Sequence, residues 1–130
     1  MYHFTALVTL LAVLVYFYSS ILVSRARGKF GVKLPAISGH PDFERVFRAQ
    51  MNTLEWLPIF LPSLWLFAIY IGDVAAAILG AIWVIGRIVY FLGYRQAVAK
   101  RSPGFLIQAL VCVVLWVGAL GTAVWRLVHG

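Results

Sequence analysis

Charge is scarce in this chain, and acidic charge is scarcer still. Only 12% of the 130 residues are charged, and four of these (Asp42, Glu44, Glu55, Asp73) are acidic. A soluble domain charges about a quarter of its residues, so this composition cannot clothe a water-facing surface. Cysteine is almost missing. Cys112 stands alone in an apolar run, which excludes an intrachain disulfide and any paired-cysteine redox or metal motif. Three scattered histidines (His3, His40, His129) lack metal-ligand spacing, so no metal is expected. No basic segment precedes the first apolar run and no clear small-residue cleavage site follows it, so that run is expected to be a retained spanning helix. Internal repeats and low-complexity stretches are absent as well.

What is present is apolar: 63% of residues are hydrophobic and the mean hydropathy is +0.93. Four segments reach the roughly 20 residues needed to cross a bilayer core: about Phe4–Val23, Val46–Ile71, Val74–Tyr94 and Phe105–Leu127. They predict an all-α membrane protein, a four-transmembrane-helix bundle forming one domain over residues 1–130. The connections differ in kind. A long basic loop from Ser24 to Asp42 carries Gly28, Gly31, Pro35, Gly39 and Pro41 as helix breakers. Gly72-Asp73 predicts a tight turn, and Pro103 suits the first turn of the fourth helix. Pro58 and Pro62 are expected to kink the second helix or open a cavity beside it. Gly80, Gly86, Gly93, Gly118 and Gly121 allow close helix approach.

The net charge of +7 and a pI near 10.1 would suggest nucleic acid in a soluble chain. Here the cations gather where membrane loops belong, so no nucleic-acid partner is expected. Arg25, Arg27, Lys29, Lys33, Arg45 and Arg48 flank the first connection, and Arg95, Lys100 and Arg101 the third. The positive-inside rule places both connections on the cytoplasmic side and both termini on the other.

Polar residues enter the second span. Arg48, Asn52 and Glu55 recur at i, i+4 and i+7, which sets them on one helix face, with Leu54, Leu57, Leu61 and Leu64 expected on the other. Ionised groups at membrane depth cost several kcal/mol and face a bundle interior or a wet cavity. Arg87, Tyr90, Tyr94 and Arg101 share a second face, provided the third helix continues into the basic segment. Together the two stripes predict a pocket opening to the cytoplasmic side. Its cations suit carboxylates, Glu55 suits an ammonium group, and Asn52 with the tyrosines supplies directional hydrogen bonds. The implied ligand is a small zwitterion with surplus negative charge, beside which an apolar second substrate can arrive through membrane lipid.

The run FERVFRAQMNTLEWLPIF followed by GRIVYFLGYRQAVAKR resembles the MAPEG superfamily of membrane proteins in eicosanoid and glutathione metabolism. The resemblance implies a homotrimer with sites at subunit interfaces, and glutathione as co-substrate without a metal. By motif match, Arg48, Gln50, Asn52, Glu55, Tyr90 and Tyr94 would hold glutathione. Arg27 would join from a neighbouring subunit, and Arg101 would hold the sulfur as thiolate. The implied enzyme is a glutathione S-transferase acting on hydrophobic electrophiles, with reduction of lipid hydroperoxides as a second reaction. The alternative is a non-catalytic lipid- or glutathione-binding protein of the activating type. Two positions depart from leukotriene-forming members: Trp56 replaces a tyrosine and Gly28 replaces a second arginine. The membrane would be the plasma membrane of a bacterium or the endoplasmic reticulum of a eukaryote.

Overall fold

A computed structural model describes residues 1–130 as four long helices. These are α1 (His3–Phe30), α2 (Pro41–Tyr70), α3 (Asp73–Gln96) and α4 (Ser102–His129), with a single 3₁₀ turn at Val98–Arg101 before α4. All four are long and apolar enough to cross a membrane, as a multi-pass integral membrane protein requires. Their outward sides are lined by Leu, Ile, Val, Phe and Trp, which in lipid is the expected covering.

The central pair is α2 and α3, with α1 and α4 flanking them and each packing on both. One end of the bundle gathers the N-terminus, the Gly72-Asp73 turn and the C-terminal part of α4. Asp73 ties it together. Its carboxylate accepts from the Thr5 N–H at 2.8 Å, the Phe4 N–H at 3.2 Å and the Thr5 hydroxyl at 2.6 Å. Asp73 thereby satisfies donors that α1 leaves orphaned at its start, a cap supplied from another helix. Nearby, Arg126 donates to the Tyr70 carbonyl at 3.0 Å. The opposite end collects the basic connections.

Helix boundaries differ from the sequence expectation at the basic end. There α1 continues through Arg25, Arg27 and Lys29 to Phe30, and Gly31 ends it with φ 69°. Cations suit the last turn of a helix because its carbonyls are partly negative there, so basic composition did not mean loop. The connection shrinks to residues 31–40, and α2 starts at Pro41 with the His40 ring accepting from the Asp42 N–H at 3.1 Å. Helix α2 runs unbroken through Pro58 and Pro62. Both prolines lie on its exposed side, where the missing donors do not disturb packing. Leu57 and Leu64 are buried, whereas Leu54 is exposed beside that proline stripe.

Two cores fill the interior. The larger contains Phe60 stacked on Trp83 at 3.9 Å, with Leu64, Val111 and Leu115 around them. The smaller, near the basic end, gathers Val23, Phe43, Val46, Tyr90 and Phe91. Helices α3 and α4 come close at Gly104, where an added methyl would meet the backbone of Tyr90 and the Gly86 carbonyl. Gly121 has open space around it instead. Gly104→Ala is therefore expected to destabilise the bundle by at least about 1–3 kcal/mol. Gly121→Ala, in the interior of α4 with room for the methyl, should stabilise by about 0.4–1 kcal/mol. Unfolding midpoints in detergent would measure both.

Candidate functional site

At 1.5 Å per residue α2 is about 45 Å long, against a hydrocarbon core of about 30 Å. Counting back twenty residues from Tyr70, the length that crosses such a core, reaches Met51. Arg48 lies before that stretch, Asn52 just within its start, and Glu55 about 6 Å along it from Met51. In the single chain both Arg48 and Glu55 are exposed, and neither forms an ion pair. Asn52 turns toward α3.

There Asn52 meets Arg87, the most deeply buried charge in the protein, with 0% of its surface exposed. Arg87 donates to the Asn52 side-chain oxygen at 3.0 Å and to the Thr53 hydroxyl at 2.7 Å. Its guanidinium lies 4.2 Å over the Tyr90 ring. No carboxylate pairs with it, and its Nε has no partner. Tyr90 in turn packs edge-to-face on Tyr94 at 5.5 Å. Arg87, Asn52, Tyr90 and Tyr94 therefore form one connected cluster between α2 and α3.

The expected continuation of α3 does not occur. The helix ends at Gln96, Ala97 is extended, and Arg101 closes the 3₁₀ turn. The fold-back nonetheless carries Arg101 to Tyr94, its guanidinium 5.8 Å over the ring and donating to the Val98 carbonyl at 3.0 Å. Gly93 makes this possible, because an added methyl there would strike the Lys100 carbonyl. Arg48 and Tyr94 line one cavity of about 300 Å³ with Glu44, Arg45 and Val98. Trp56 packs edge-to-face against Phe105 at 5.5 Å, linking α2 to the start of α4.

Gln50 and Arg27 lie elsewhere. Gln50 is about 200° around α2 from Arg48, buried, and donates to the Ser20 hydroxyl of α1 at 2.7 Å. Arg27 sits 4.9 Å over Phe43 and donates to the Ala36 carbonyl at 2.6 Å. Phe43 and Gln50 are seven residues apart, so both belong to the α1-facing side of α2. Within one chain the predicted set is thus divided between two sides of α2. Arg48, Asn52, Glu55, Tyr90, Tyr94 and Arg101 fall on one side, Gln50 and Arg27 on the other.

Sequence spacing flagged Arg87 without a role, and it missed Thr53 and Gly104. A threonine beside the Asn52–Glu55 stripe and a glycine after proline carry no distinctive signal.

The chain is 54% identical to an uncharacterised protein of Synechocystis sp., over 94% of this chain and 89% of the other. Human microsomal glutathione S-transferase 2 is 43% identical, over 82% of this chain and 73% of its own length. Rat leukotriene C4 synthase is 41% identical, over 95% and 81%. The profile of the MAPEG family matches residues 5–121. With nearly the whole length matched and four apolar helices in place, the chain belongs to the MAPEG family.

Proposed function

We propose that the protein is an integral-membrane glutathione S-transferase that joins the glutathione sulfur to hydrophobic electrophiles. The observation carrying this reading is the arrangement of charge at one bundle end. Arg48, free of a carboxylate partner, lines a cavity with Tyr94 and Glu44; Arg101, also unpaired, lies over the Tyr94 ring, and Asn52 and Glu55 are on the same side of α2. Glutathione offers two carboxylates to these cations, an ammonium group to Glu55 and a thiol to Arg101. Membership in a family with glutathione-using relatives supports the choice of ligand.

A carboxylate 6 Å inside hydrocarbon on an exposed helix face is unstable in lipid, so Glu55 needs a polar neighbour. A second copy provides one. When the α1–α2 side of one subunit meets the Arg48–Glu55 side of the next, Gln50 and Arg27 reach the site from that neighbour. Contacts between unlike faces form a ring where the rotation closes, and membership in the MAPEG family supports a ring of three, a homotrimer. Gln50 accordingly shares the neighbour's contribution with Arg27, and does not join the set on its own chain. The site opens at the cytoplasmic side, with both termini on the other.

In the reaction the glutathione thiol loses its proton to solvent. The sulfur then attacks an electrophilic carbon, forming a C–S bond while the leaving group departs. Arg101 stabilises the thiolate by charge, as an anion-stabilising donor in a partly dry site. The same thiolate is suited to reducing a lipid hydroperoxide to the alcohol, with two glutathiones oxidised to the disulfide and water released. Apolar substrates reach the site from the bilayer, past Trp56 and Phe105.

Thiol consumption by detergent-solubilised protein, with an aryl halide and separately with a lipid hydroperoxide, tests this reading. Saturable, protein-dependent consumption with the aryl halide is expected. Glutathione binding without consumption of either substrate would return the protein to the non-catalytic, activating type.

A further inference from the structure

A second cluster of cations lies away from the Arg101 side. Between the inner ends of α1 and α3, over the first turns of α2, is a cavity of about 420 Å³ bordered by Arg25, Lys29 and Arg95. None of the three forms an ion pair within the chain. The one carboxylate at this cavity, Asp42, is already engaged by Arg45. The cavity is therefore strongly positive, and it sits at the level of the headgroup layer.

Directly beneath it, the same two helices enclose a second cavity of about 360 Å³. Leu14, Tyr18, Ile88, Phe91 and Leu92 line it, and Leu22 borders both cavities. From Leu14 to Leu22 the crevice runs about 12 Å along α1. A cationic chamber thus continues into an apolar trough that runs toward the bilayer midplane. A soluble anion would leave the trough empty, and a neutral lipid would leave the cations unmatched. An amphiphile with a phosphate head and acyl tail matches both.

We propose that the α1–α3 face holds one anionic glycerophospholipid per chain. Its phosphate lies among Arg25, Lys29 and Arg95, and an acyl chain lies along Leu22 and Phe91. Positive side chains near a membrane surface each strengthen attraction for anionic lipid by about fivefold. Three of them in one chamber give a preference for phosphatidylglycerol over phosphatidylcholine of at least about tenfold. This seat does not depend on glutathione chemistry, and it stands if the proposed transferase activity fails.

Native mass spectrometry of delipidated protein, titrated with phosphatidylglycerol or phosphatidylcholine, tests the assignment. One phosphatidylglycerol per chain is expected, with the tenfold preference. The triple variant R25A/K29A/R95A should lose the preference, whereas Arg126→Gln, at the opposite end, should keep it. Leu92→Trp fills the trough and should weaken lipid binding while leaving the cations intact. Equal binding of both lipids, or an unchanged preference in the triple variant, would overturn the proposal. So would displacement of the lipid by inorganic phosphate at equal concentration, which would mark an ion site without a tail.

Discussion

Replacing Arg101 with serine is expected to lower glutathione conjugation at pH 7 by at least about tenfold. A guanidinium about 4 Å from a thiolate, at an effective dielectric near 20, offers on the order of 4 kcal/mol. Half of that moves a thiol pKa of about 8.5 down by about 1.5 units. At pH 7 this raises the ionised fraction from about 3% to near half. A more basic thiolate is intrinsically the better nucleophile, which returns part of the loss in the variant. Loss of sulfur positioning adds to it. Because Arg101 acts on ionisation, the gap between variant and wild type should narrow above about pH 9, where the thiol ionises unaided. Initial rates across pH 6–10 measure this. Within the chain the guanidinium touches only the Val98 carbonyl and the Tyr94 ring, which leaves its charge available to the sulfur.

The second large effect concerns Arg87, and here stability and activity should separate. A buried cation without a counter-charge gives up hydration that its hydrogen bonds repay only in part. Methionine fills similar volume without that penalty, so Arg87→Met is expected to keep stability within about 1.5 kcal/mol. Glutathione affinity should fall about ten- to hundredfold, because a charged hydrogen bond contributes about 1.5–3 kcal/mol. The route is through Asn52. Its oxygen is held by Arg87 at 3.0 Å, which turns the amide nitrogen away from Arg87 and frees it for ligand. Calorimetry of glutathione binding beside detergent unfolding distinguishes the two effects. A variant that unfolds readily yet binds normally would make Arg87 a purely structural residue.

The four spans were legible because twenty apolar residues have few other uses. So was Pro103 in the first turn of α4, where the structure puts it. The extent of α1 was not legible. Basic residues read as loop, while the physics of a helix C-terminus favours them within the last turn. The polar stripe on α2 followed from a period of 3.6, and that period correctly put Arg48, Asn52 and Glu55 on one side. The same period, applied to Gln50, assigns it to the α1 side, where it meets Ser20.

Arg101 shows a different limit. Its expected place depended on α3 continuing, yet the helix stops at Gln96 and a 3₁₀ turn returns the chain. The arginine reaches Tyr94 by fold-back, over a glycine that admits the Lys100 backbone. Long-range pairings were equally invisible in sequence. Asp73 looks like a turn residue, and only the packing of α1 beside α3 makes it a cap for Thr5.

The pH titration of thiolate ultraviolet absorbance, for glutathione bound to the unmodified protein, probes Arg101 chemistry without relying on any variant. A midpoint near or below pH 7, against about 8.5 for a free thiol, is the predicted result. Bound glutathione that ionises no more readily than in water would contradict it.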